Sequence, residues 1–162
     1  PGYKNAGCSF CVMRKSSLKS TDLRKMGLLK HYRIVRRWAC KTHDLNNADV
    51  ELLIYFDCIG EFKRTDFENG TLTYAWDNRR WNRLIKTGWI KLYRKHNKGD
   101  SKYSLYKVSF QANCLIQKMY RIMLGEEDIP SSARRSPIMK GKTYMDRQDR
   151  KAIELVNKDK TR

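Results

Sequence analysis

The sequence predicts a mainly helical α+β domain with one small β-hairpin, carrying basic N- and C-terminal extensions. Three observations predict it. Long segments repeat apolar residues at intervals of three and four. Two shorter runs alternate apolar and polar residues across a glycine-containing turn. Lys and Arg gather in two blocks that flank an acidic one. A length of 162 residues suits one domain with extensions, and 40% hydrophobic residues with four tryptophans suffice for a core.

Between Asp22 and Thr42 the residues Leu23, Met26, Leu29, His31/Tyr32, Val35 and Trp38/Ala39 recur with helical period. Arg24, Lys25, Lys30, Arg33, Arg36 and Arg37 fill much of the remainder, so one amphipathic helix is expected there. In "DLNNADVELLIYFDCIG" a second helix starts at Asn46 or Asn47, which can cap it. Asp49 and Glu51 favour its first turn, and Gly60 can end it. Val50 to Phe56 are apolar nearly all round, which predicts burial on several sides.

"KRTDFENG" predicts one short helical turn capped by Thr65 and stopped by Gly70. A helix over about 73–87 follows and breaks at Gly88. Tyr74, Trp81, Leu84 and Ile85 share one of its faces. Asn78, Arg79, Asn82, Arg83 and Lys86 fall on the other, with Arg80 near the boundary. Trp76, Trp81 and Trp89 are expected in the core. Residues 89–96 and 102–110 alternate around "NKGD" and predict the hairpin. A last regular helix over about 110–124 has Ser109 as cap and Gly125 as stop. Beyond it "SSARRSPIMKGKTY" has the composition of a linker. Ile153, Leu155 and Val156 allow a short terminal helix with too little apolar surface to fold alone. The expected division is an extension over 1–21, a domain over 22–125, and a basic linker and tail over 126–162.

Formal charge is +18, from 35 Lys and Arg against 17 acids, and it is unevenly placed. Residues 1–45 hold eleven basic and two acidic side chains, 46–70 two and six, and 71–110 ten and two. Separated basic blocks of this kind point to a polyanion, with nucleic acid first and an anionic membrane surface second. No run approaches the roughly 18 apolar residues of a membrane span. The opening "PGYKNAGCSFCVMRKSS" has no apolar signal-peptide centre. The expected location is therefore the cytoplasm, where five cysteines serve as thiols or ligands.

Helix, buried helix, short helix, arginine-bearing helix, basic hairpin, helix is the order of a winged helix-turn-helix. Over roughly residues 22–125 the chain resembles the MarR-type transcription regulators. "LNNADVELLIYF" is similar to the helix that opens the winged domain, and "RLIKTGWIKLYR" to the end of a recognition helix with the first wing strand. "SLYKVSFQANCLIQKM" resembles a second wing strand running into a C-terminal helix. The thin helix containing Gly70 and the basic tail depart from the family pattern.

The resemblance implies a duplex-DNA-binding homodimer joined through its first and last helices. It places the recognition helix at about 73–87 in the major groove and the wing at 93–102 on phosphates or the minor groove. Asn78, Arg79, Asn82, Arg83 and Lys86 then face the DNA from the helix, and Arg94, Lys95, Lys98 and Lys102 from the wing. The alternative is a structural component of a large nucleoprotein assembly such as a virus particle. In that case the winged fold packs subunits, and the termini bind neighbours or packaged nucleic acid.

"CSFC" and "CKTH" together give C-x2-C and C-x2-H, so Cys8, Cys11, Cys40 and His43 could supply a tetrahedral zinc. The competing reading is small buried cysteines with a helix-terminal histidine. Cys58 and Cys114 read as core residues. Asp49, Glu51, Asp57, Glu61, Asp66 and Glu68 read as a solvated face that pairs with basic neighbours. No phosphate loop, catalytic triad spacing or HExxH occurs, so no enzyme is expected.

Overall fold

A computed structural model describes residues 20–27, 29–74, 77–98 and 101–159. Gly27 divides the first predicted helix in two. Its φ of +57° lies in the left-handed region, and its carbonyl accepts the Lys30 N–H at 2.8 Å. The result is two helices, α1 (Ser20–Met26) and α2 (Tyr32–His43), where periodicity alone predicts one rod. The second predicted helix is α3 (Asn47–Ile59). Asp49 Oδ2 accepts the Asn46 N–H at 2.8 Å, and Gly60 ends the helix at φ +84°.

Two boundaries differ from the sequence expectation. α4 (Arg64–Tyr74) runs straight through Gly70 instead of stopping there. Asp66 accepts the Lys63 N–H at 2.6 Å, so the helix is capped ahead of Thr65. Gly70 is buried within the helix, three residues from the buried Phe67, and is not a terminator. α5 (Asn78–Lys86) is correspondingly shorter than 73–87. Its cap is Asp77, whose carboxylate accepts the Arg79 N–H at 2.9 Å, while Thr73 and Tyr74 belong to α4.

β1 (Ile90–Lys98) and β2 (Ser101–Val108) pair antiparallel, from Ile90 opposite Val108 to Lys98 opposite Ser101. A register shift between Leu92 and Arg94 leaves Tyr93 as a bulge. Phe62, between α3 and α4, adds an isolated antiparallel bridge to Tyr106. Ser109 Oγ accepts the Ala112 N–H at 3.2 Å and starts α6 (Phe110–Leu124), which ends at Gly125 with φ +85°.

An aromatic cluster locks α3, α4, α5 and the hairpin together. Phe56 and Phe62 stack with ring centroids 3.8 Å apart. Trp81 stands edge-on to Phe56 at 5.8 Å and to Tyr106 at 5.1 Å. Trp81 and Trp89 are buried as expected, whereas Trp76 lies outside the described residues.

Residues 126–162, whose composition suggests a linker and tail, contribute directly to the core up to Val156. α7 (Pro137–Lys140) and α8 (Tyr144–Asp159) pack on α2. Ile129, Ile138, Ile153 and Val156 join the same buried cluster as Val35, Trp38 and Met119. Arg37 pairs with Asp149, Lys41 with Asp146 at 2.8 Å, and Lys30 with Asp159 at 2.9 Å. Asn157 bridges both backbone groups of Ile129 at 3.0 Å. Four apolar side chains cannot form a core alone, but α2 offers them a finished surface. No helix among the described residues is long and apolar enough to cross a membrane.

Candidate nucleic-acid interface

α5 is strongly two-faced. Trp81 and Leu84 point into the core, while Asn78, Arg79, Asn82, Arg83 and Lys86 are all exposed. Ile85, expected inward, is 37% exposed and sits at the edge of the apolar stripe. Asn78 Oδ1 accepts from an Arg64 guanidinium nitrogen at 3.1 Å, which ties the first residue of α5 to the start of α4.

What sets the rotation of α5 is a carboxylate on another helix. Asp49 of α3 is fully buried. Its Oδ1 pairs with Arg80 at 2.6 Å, and its Oδ2 pairs with Arg83 while also accepting the Asn46 N–H. Arg79, Arg80 and Arg83 line a small cleft of about 180 Å³ with Asn46 and Asp77. The sequence places Asp49 as a first-turn acid of α3, and it is that. Its pairing with residues 31 and more positions away carried no local signal. Arg83 is thus partly committed inside the protein, and the most outward groups of the helix are Arg79, Asn82 and Lys86.

On the hairpin, Lys91, Arg94 and Lys95 are exposed. The backbone of Lys98 and Lys102 lies in the strands, and their side chains lie outside the described residues. Tyr93, pushed out by the bulge, has Lys107 over its ring at 3.6 Å and Arg94 at 5.6 Å. Lys107 also pairs with Glu61 at 3.0 Å, and this contact raises the pKa of its ammonium.

The two basic blocks are used differently. In α2, Arg36, Arg37 and Lys41 meet Glu51, Asp149 and Asp146. On α5 and the hairpin, Arg79, Lys86, Lys91, Arg94 and Lys95 meet no carboxylate among the described residues. The acidic segment 46–70 pairs with basic neighbours as its pattern suggests, through Asp49, Glu51, Glu61 and Glu68. Asp49 departs from the solvated face expected of that segment.

Of the zinc candidates, Cys8 and Cys11 lie outside the described residues. The Cys40 thiol donates to Asn47 Oδ1 at 3.4 Å, and burial raises its pKa. His43 packs edge-on against Trp89 at 5.5 Å, and burial, with Lys118 nearby, lowers its pKa. No group of three or more His, Cys, Asp or Glu among the described residues is placed to hold a metal. Cys58 and Cys114 are exposed rather than core, because each falls on the outward side of its helix. Comparison of the chain with protein families, curated proteins and solved structures gave no match.

Proposed function

We propose that this chain is a non-enzymatic, winged-helix nucleic-acid-binding protein, in which α3, α4 and α5 form the helical part and β1 and β2 the wing. The isolated antiparallel bridge of Phe62 to Tyr106, which ties the segment before α4 to the hairpin, supports this arrangement. α5 lies in the major groove of duplex DNA and the hairpin rests on adjacent phosphates. One observation carries the reading: Arg79, Lys86, Lys91, Arg94 and Lys95 stay exposed on two adjacent elements with no carboxylate partner among the described residues, while α2 pairs most of its cations internally. A surplus of cations left wet on adjacent elements suits a polyanion.

Within this reading Arg79, Asn82 and Lys86 are the side chains best placed to reach base edges, and Arg83 braces the helix through Asp49. A MarR-like regulator is the corresponding biological role. Duplex affinity measured by fluorescence anisotropy across a salt series tests it. Affinity should fall steeply with salt, and Lys95→Ala should reduce the slope by about one. A flat salt dependence would remove the electrostatic basis. A random-duplex selection then asks whether any motif is preferred, as a regulator requires.

A second reading, a structural subunit of a nucleoprotein assembly such as a virus particle, is favoured by a different observation. Phe110 is 84% exposed, Leu29 76% and Leu155 65%, which leaves large apolar side chains wet in the isolated chain. Light scattering with and without DNA separates the two: a defined dimer supports the regulator, and larger particles support the assembly subunit.

A further inference from the structure

A second cleft lies between the start of α4 and the hairpin, away from the outer face of α5. Its volume is about 380 Å³, with Lys63, Arg64 and Thr65 on one wall and Asn97, Tyr103 and Ser104 on the other. That size falls within the range of small-molecule sites. Two cations, four hydroxyls (Tyr106 contributing the fourth) and an amide line it, and none of its lining residues is acidic. The nearest carboxylates along the chain are already engaged, Glu68 by Arg64 itself. Asp66 accepts the Lys63 N–H at 2.6 Å, and Glu68 accepts from Arg64 Nε at 3.1 Å.

Arg64 is held from several sides. Its guanidinium lies 5.0 Å from the ring centroids of both Phe67 and Trp81, in addition to its bond to Asn78. Lys63 is different. Its ammonium meets no carboxylate among the described residues and sits 4.2 Å from the centre of the Tyr103 ring. Tyr103 is 37% exposed, so the edge of its ring reaches the solvent side of the cleft beside that ammonium. A guanidinium held by Glu68 and Asn78, an ammonium with no carboxylate partner among the described residues, and a partly exposed ring in one cleft match a ligand that is anionic at one end and aromatic at the other.

We propose that this cleft binds a nucleotide, with Lys63 and Arg64 on the phosphate oxygens and Tyr103 against the base. The same chemistry can come from a free mononucleotide or from an unpaired nucleotide of a strand. The proposal does not depend on duplex binding by α5, because no α5 residue lines this cleft; its far wall belongs to the hairpin.

The test is an NMR titration of the isotope-labelled full chain, following the Thr65 and Ser104 amides. The probes are adenosine monophosphate, adenosine, and a short single-stranded oligonucleotide. Saturable shifts are expected with a phosphate-bearing probe, with binding about tenfold weaker for adenosine and for Lys63→Gln, as loss of a charge-assisted contact implies. Tyr103→Leu should weaken the same binding, whereas Arg79→Ala should leave it unchanged. Binding of adenosine monophosphate assigns a free nucleotide, and binding of the oligonucleotide alone assigns a strand. No saturable shift from either phosphate probe, or undiminished binding in Lys63→Gln, overturns the proposal.

Discussion

Replacing Asp49 by Asn tests whether one buried carboxylate holds α5 against α3. Asp49 is fully buried and takes Arg80, Arg83 and the Asn46 N–H. Asn keeps the shape and an acceptor oxygen for the Asn46 N–H, so the change removes the charge and little else. Removing one partner of a fully buried ion pair costs about 3–5 kcal/mol, because the other is left dry. Here the orphaned guanidiniums are not dry: the Arg80 side chain is 20% exposed and that of Arg83 43%. Both recover part of their hydration, and the contribution moves toward the roughly 0–1 kcal/mol of a surface pair. The expected loss lies between these limits, at about 2 kcal/mol, with the more buried Arg80 supplying most of it. For a chain of this length that lowers Tm by about 4–8 °C. The assay is urea unfolding followed by tryptophan fluorescence, since guanidinium chloride would screen the ion pairs under test. A lower midpoint with unchanged slope is expected. A loss below about 0.5 kcal/mol, the size of an ordinary surface substitution, would refute the reasoning.

Three further outcomes are expected. Ile153→Ala should cost about 2–5 kcal/mol in the same urea assay, because Ile153 is fully buried in the shared core; a near-silent change would show that α8 stands apart from it. The Asp146 carboxyl is held down to about 2 from 3.8, chiefly by the Lys41 ammonium and then by Thr143. Because its folded value is the lower one, the stabilisation is complete above about pH 4 and is lost as pH falls toward 2. Circular dichroism of Asp146→Asn should therefore show a shallower acid limb than the wild type. Burial lowers the pKa of His43 below 6.5, so its unfolded form takes up protons first and stability should decline as pH drops through about 6.5. The fall in urea midpoint between about pH 8 and pH 5.5 should shrink in His43→Gln, and an equal fall in both proteins would argue against this role.

Much of the architecture was legible in the chain itself. Asn46 and Gly60 bound α3, Ser109 and Gly125 bound α6, and the alternating runs around "NKGD" became the hairpin, because caps and periodicities are written within a few residues. The two-faced pattern of α5 was legible as well, from Trp81 and Leu84 against Arg79, Asn82 and Lys86. Glycines were the weak point. Gly27, Gly60 and Gly70 look alike in a sequence, yet the first turns the chain, the second ends a helix, and the third lies buried within one. Only packing against neighbours separates these roles, since a residue without Cβ tolerates all three. The fate of the C-terminal segment was equally hidden. Its composition resembles a tail because it has few apolar residues, and their number matters less than the surface that receives them. α2 provides that surface, about a hundred residues earlier in the chain, and its basic side chains meet Asp146 and Asp149 there. The sequence by itself set which residues are cationic. The tertiary structure decided which of them spend that charge internally, because an ion pair depends on distance in space and not on separation along the chain.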